Sequence, residues 1–121
     1  MVIAALVAVA TAVVVTQAGA REEVREIELV ARGMSFYLAV DAASANPTIT
    51  VGAGERVRFV LRNETPGIDH DLAVDSLGIA MAPVALGQTA SLDVEIPSRP
   101  GTYEYRCRPH AVMMNGRLIV R

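Results

Sequence analysis

What most constrains this chain is a succession of short runs in which inward and outward residues alternate, cut at close intervals by glycine and proline. Such period-two runs build half-buried strands and leave no room for a long helix. From Arg56 to Arg62, Val57, Phe59 and Leu61 alternate with Arg58, Val60 and Arg62. Leu92, Val94 and Ile96 alternate with Asp93 and Glu95, and Tyr103, Tyr105 and Cys107 with Glu104 and Arg106. The last run places the cysteine on the inward face with both tyrosines. Further strands are expected over residues 27–31, 35–40, 48–51, 70–74 and 117–120. Asn46-Pro47, Gly52-Ala53-Gly54, Pro66-Gly67, Pro83, Gly87, Pro97, Pro100-Gly101 and Asn115-Gly116 mark the turns. About eight strands predict an all-β fold, a two-sheet antiparallel Greek-key sandwich with little helix. The apolar stretch over residues 76–89, SLGIAMAPVALGQT, is expected to be a loop that crosses between the sheets or lies beside a site.

The first twenty residues are different in kind. An apolar run from Val2 to Val15 precedes Ala18-Gly19-Ala20, the h-region and small-residue cleavage site of a secretory signal. The run is shorter than the roughly 20 residues that span a bilayer, although extending it through Ala20 approaches that length. No Lys or Arg precedes it. Residues 1–20 are therefore read as a cleaved signal peptide or an N-terminal membrane anchor, and residues 21–121 as one domain working outside the cytoplasm, in the periplasm or another extracytoplasmic space. A net charge of -2, with arginine supplying every basic residue, excludes a nucleic-acid footprint. In an oxidising compartment the single cysteine has no intramolecular partner, so it is either buried and inert or occupied by something.

That cysteine lies in a chemically crowded stretch. YEYRCRPHAVMMNGRLIV, residues 103–120, holds Cys107, His110, Met113 and Met114, and the only other histidine is His70. Taken singly these residues are ordinary: a lone cysteine at a strand end is usually a small hydrophobe, and methionines commonly fill gaps in a core. Taken together, two histidines, a cysteine and a methionine are the donor set of a mononuclear blue-copper site, because soft thiolate and thioether suit Cu(I) while imidazole serves both oxidation states. Zinc fits less well, since structural zinc closes a tetrahedron of four strong donors and a thioether is a poor fourth. Asp69 and Asp71 flank His70, and in an extended strand both would point away from the side that His70 faces.

The run Tyr-x-Cys-x-Pro-His, followed by Met-x-Gly and an apolar strand, together with the upstream histidine in NETPGIDHDLAV, resembles the cupredoxins, small blue-copper proteins of the plastocyanin, amicyanin and pseudoazurin kind. The resemblance covers essentially residues 25–121 and implies a cupredoxin domain binding one type 1 copper, with His70, Cys107 and His110 as equatorial ligands. For the axial ligand, counting from His110 selects Met113, whereas counting back from the last strand selects Met114. Strand register is the more rigid reference, so Met114 is expected and Met113 is the alternative. Many cupredoxins have asparagine after the first histidine ligand, and its side chain ties the two ligand loops together. This chain has Asp71, which accepts hydrogen bonds but donates none when ionised.

The resemblance implies an electron carrier that cycles Cu(II) and Cu(I) between larger redox proteins, a monomer and not an enzyme by itself. No open coordination position, no general acid or base for a substrate and no second cysteine for a binuclear copper site is evident. Donor and acceptor proteins would touch transiently near His110, where Pro109, Ala111 and Val112 form an apolar rim. Arg106, Arg108, Arg117 and Arg121 are either solvated charges or steer an acidic partner. The alternative function is periplasmic copper capture and delivery, with Met81 and the loop methionines as transfer ligands. A third is adhesion or assembly by a sandwich with a vestigial site.

Overall fold

A computed structural model describes residues 13, 14, 19 and 23–121, so most of the apolar N-terminal segment, and with it the signal or anchor reading, lies outside the described residues. The alternating runs form the strands they predict. In chain order these are β1 (Arg25–Arg32), β2 (Ser35–Leu38), β3 (Ile49–Val51), β4 (Arg56–Asn63), β5 (Ala73–Val74), β6 (Ile79–Ala80), β7 (Thr89–Glu95), β8 (Gly101–Arg106) and β9 (Asn115–Val120). One sheet has the order β2-β1-β4-β7 and the other β3-β9-β8-β5-β6, giving the expected all-β sandwich. The only helical pieces among the described residues are 3-10 turns at Asp75–Leu77 and Arg108–His110.

The structure adds three features to the sequence reading. Two strand pairs, β1 with β4 and β3 with β9, are parallel. Alternation has the same period in either direction, so it does not distinguish them. The strand expected over residues 70–74 is reduced to Ala73–Val74, and His70 stands ahead of it in an isolated bridge to Val84. The stretch expected to be a loop over residues 76–89 includes β6 and supplies Val84, which places it beside the site.

The core lies between the sheets. Val57, Phe59 and Leu61 of β4 are buried with Ile27, Leu29 and Ala31 of β1, facing Val51, Tyr105, Leu118 and Val120 of the other sheet. Phe36 and Tyr105 join the layers edge to face, with ring centroids 5.6 Å apart; such a pair contributes about 0.5–1.5 kcal/mol beyond the area it buries. Burial pushes the Tyr105 phenol up in pKa and keeps it a donor, which it uses toward the Pro47 carbonyl at 2.5 Å. Across the β8–β9 ladder Tyr105 stands opposite Gly116, and a Cβ there would collide with the tyrosine ring. The ring thus occupies the space a side chain would need, which fixes how β9 leaves the loop before it.

Candidate metal centre

Cys107 follows directly on the end of β8, and the next residues turn back so tightly that the loop closes on itself. The Cys107 amide donates to the Met114 carbonyl at 3.0 Å, and the amides of Met113 and Met114 both donate to the His110 carbonyl, at 3.0 and 2.9 Å. Pro109 sits in the first turn of the 3-10 segment, where its fixed φ suits the geometry. Two asparagines brace the loop from outside. Asn115 Nδ2 donates to the Ala111 carbonyl at 2.7 Å, and Asn46 Nδ2 to the Met113 carbonyl at 3.0 Å. This folding turns Met114 into the core, fully buried, and leaves Met113 55% exposed.

His70 arrives from elsewhere and is held differently. Its amide donates to the Val84 carbonyl at 3.1 Å and its carbonyl accepts from the Val84 amide at 2.7 Å. Val84 and the 64–69 turn are in turn gripped by Asn63, which is completely buried. Its Nδ2 donates to the carbonyls of Ile68 and Val84, at 2.7 and 2.8 Å, and its Oδ1 accepts from the Thr65 amide at 2.7 Å. Asn63 was not among the candidate residues from the sequence. Its signal is phase: it continues the inward series Val57, Phe59, Leu61, so a polar side chain is aimed at the core and must find partners there.

These two arms bring His70, Cys107 and His110 together, the one such cluster of histidine, cysteine and carboxylate donors among the described residues, with donor atoms within 4.8 Å of one another. Cys107 Sγ lies 3.8 Å from His70 Nδ1 and 3.4 Å from His110 Nδ1. Metal bonds of about 2.3 Å to sulfur and about 2.1 Å to imidazole, opened to about 120°, would separate such atoms by about 3.8 Å. The cluster therefore fits a metal with little rearrangement. The imidazoles of His70 and His110 meet edge to face at 5.1 Å. His70 and Cys107 are fully buried and His110 is partly exposed, so one imidazole edge faces outward. Burial pushes the Cys107 thiol up, opposed by the Asp71 amide, which donates to Sγ at 3.4 Å. Burial, with His110 beside it, pushes the His70 imidazole down. His70 Nε2 is buried and makes no hydrogen bond.

Asp71 accepts hydrogen bonds that tie the two ligand arms, the part open to a carboxylate at this place. It is buried and its carboxylate spans the two arms: Oδ1 accepts from the Arg108 amide at 2.7 Å and Oδ2 from Arg108 Nε at 2.9 Å. Arg108 is thus paired with Asp71 and Arg106 with Asp75, while both arginine side chains stay partly exposed to solvent. Met81 is buried in the core.

A family model described as cupredoxin-like domain matches residues 3–120. The chain belongs to the cupredoxin family. Its donor set is that of a single type 1 copper, borderline imidazole with soft thiolate and thioether. Among solved structures the cupredoxin is similar to rusticyanin from Thiobacillus ferrooxidans, at TM-score 0.62 and 19% identity over 79% of this chain and 76% of that one. It is also similar to an auracyanin from the photosynthetic bacterium Roseiflexus castenholzii, at TM-score 0.63 and 17% identity over 85% and 99% of the two chains. A third, the multicopper oxidase McoA from the hyperthermophile Aquifex aeolicus, has TM-score 0.64 and 17% identity, with 80% of this cupredoxin matching 26% of that chain. At these identities the likeness is one of fold. No curated protein sequence matches the chain.

Proposed function

We propose that this cupredoxin carries single electrons between larger redox proteins, with His70, Cys107 and His110 as equatorial copper ligands and Met114 as the axial one. Bound copper supplies the one-electron Cu(II)/Cu(I) couple; the chain supplies a rigid, dry setting for it. The observation that carries this reading is that the donor atoms of His70, Cys107 and His110 are already gathered at metal-bonding separations while His70, Cys107 and Met114 are fully buried. Donors held this firmly have little room to move when the charge on the metal changes, which favours electron exchange over ligand exchange. Burial also favours Met114 over Met113.

The part-exposed His110, with Val112 95% exposed two residues on, offers a short route from the site to a partner and an apolar rim for a transient contact. The burial of three of the four donors argues against a substrate position at the metal, and so against an enzyme acting alone. Rusticyanin and auracyanin are both known in reduced form, in keeping with a redox role. In this reading residues 1–20 direct export, as a cleaved signal or a retained anchor, and residues 21–121 work as a monomeric domain outside the cytoplasm.

The exposed Met113 thioether beside the loop favours one second reading, copper delivery. The two separate kinetically. The copper-loaded chain is mixed with a small redox reagent and, separately, with a Cu(I) chelator. A carrier exchanges electrons rapidly and surrenders copper slowly. Rapid copper loss to the chelator with sluggish electron exchange would replace the carrier by the delivery protein.

A further inference from the structure

The residue after each buried ligand holds the residue after the other. Asp71 follows His70 and Arg108 follows Cys107, and the Asp71 side chain takes both the backbone and the side-chain N–H of Arg108. The Asp71 amide completes a ring by donating to Cys107 Sγ. Residue 71 therefore meets residue 107 through its backbone and residue 108 through its carboxylate. From there the guanidinium reaches Met81, whose carbonyl accepts from Arg108 Nη2 at 3.4 Å, so a third segment enters the same assembly. Burying a carboxylate is unfavourable unless it is paired and hydrogen-bonded. Asp71, with a side chain only 5% exposed, meets that condition solely through Arg108.

We propose that Asp71 and Arg108 form a positioning clamp for the Cys107 thiolate. The clamp sets the separation of the His70 and Cys107 arms, and with it the length of the N–H···S bond from Asp71. That bond governs how much electron density the sulfur gives to a metal, because hydrogen bonding around the cysteine sulfur tunes a thiolate–copper site. Carboxylate and guanidinium act as one unit: the carboxylate grips the backbone of the cysteine arm, and the guanidinium keeps the carboxylate aimed. An amide at position 71 could accept the Arg108 backbone N–H but would turn its own NH2 toward Arg108 Nε, donor against donor. The clamp is thus specific to an acid at 71 and an arginine at 108. This inference rests on the copper ligands proposed above, and its test includes a measurement that needs no metal.

The full chain is prepared with Asp71→Ala, Asp71→Asn, Arg108→Ala and Arg108→Lys. On the copper-free proteins, hydrogen exchange of the Asp71 amide is followed by NMR. On the copper-loaded proteins, the position of the thiolate-to-copper band and the rate of copper loss to a chelator are recorded. The clamp predicts faster amide exchange and a displaced band in Asp71→Ala and Arg108→Ala, with copper loss faster by about 10- to 100-fold, the usual range for residues that support metal ligands. Asp71→Asn restores part of the effect because it keeps the backbone bond, and Arg108→Lys restores little because a single ammonium cannot reproduce the fork. If Asp71→Ala fails to fold, the two Arg108 variants, which leave the buried acid in place, decide the matter. An unchanged band and unchanged amide exchange in Arg108→Ala would overturn the clamp while leaving the copper site intact. A wild-type chain with no thiolate band would defeat the ligand assignment instead, and amide exchange would still judge the clamp.

Discussion

The two arms of the copper site are built on opposite principles. The Cys107–Met114 arm is largely local: its amides and carbonyls bond to one another within eight residues, with Asn46 as a brace from outside, so its shape follows mainly from its own sequence. The His70 arm is non-local, held by Asn63, Val84 and the Asp71 bonds to Arg108, and bonds almost nothing nearby. A local loop survives changes elsewhere in the fold, whereas an arm held at a distance fails when any one of its holders is removed. Rigidity at one end of a site can thus come mainly from local backbone hydrogen bonds, while the other end relies on a buried polar side chain reaching from a distance.

Asn63→Ala breaks the comparison hardest. It strips a buried amide from two carbonyls and one N–H, and at about 1–3 kcal/mol for each unsatisfied group the loss should reach roughly 3 kcal/mol or more. Urea unfolding of the copper-free chain measures it, and NMR should place the disturbance at residues 64–71 and 84 with the Cys107–Met114 loop spared. Disturbance spread equally over both arms would mean that they are not independent.

Gly116→Ala probes the local arm. The new Cβ meets the Tyr105 ring across the strand pair, and overpacking of this kind destabilises by about 1–3 kcal/mol. The same unfolding measurement should show this, with copper affinity falling through a displaced Met114 while the His70–Val84 hydrogen exchange stays protected. A smaller effect is expected from the methionines. Met114→Leu shifts the thiolate-to-copper band and speeds copper loss, whereas Met113→Leu leaves the band where it was; the reverse result would move the axial role to Met113. Smallest of all, Arg58→Ala removes an exposed ion pair with Asp93 on the outer face of the other sheet and should leave spectrum and copper retention unchanged.

The same contrast explains what the sequence made legible. Tyr105, Cys107, Pro109, His110, Met114 and Gly116 form a continuous signature because a largely local arm writes most of its requirements into one stretch; Asn46, which bonds the Met113 carbonyl, is an exception. Gly116 belongs to it for a plain reason, the ring of Tyr105. Strand positions were legible from alternation, but the parallel pairing of β1 with β4 and of β3 with β9 was not, since period two carries no direction. His70 stood out by being the other histidine. Its supports did not, because Asn63 reaches Val84 across 21 positions and Asp71 reaches Arg108 across 37. The chemistry of Asp71 as an acceptor was legible, but its partner was not: the chain around His70 is irregular, and the acid is buried against an arginine on the other arm.

On the proposed reading, Cys107 binds copper together with His70, His110 and Met114 in a redox-active site. The most direct measurement is the visible absorption spectrum of the full chain titrated with Cu(II), beside a Cys107→Ser variant. Such a site gives an intense thiolate-to-copper band that saturates at one copper per chain, bleaches reversibly with ascorbate and is absent from the variant. Weak colour, loosely held copper below one per chain, or a band that persists without the cysteine would contradict it.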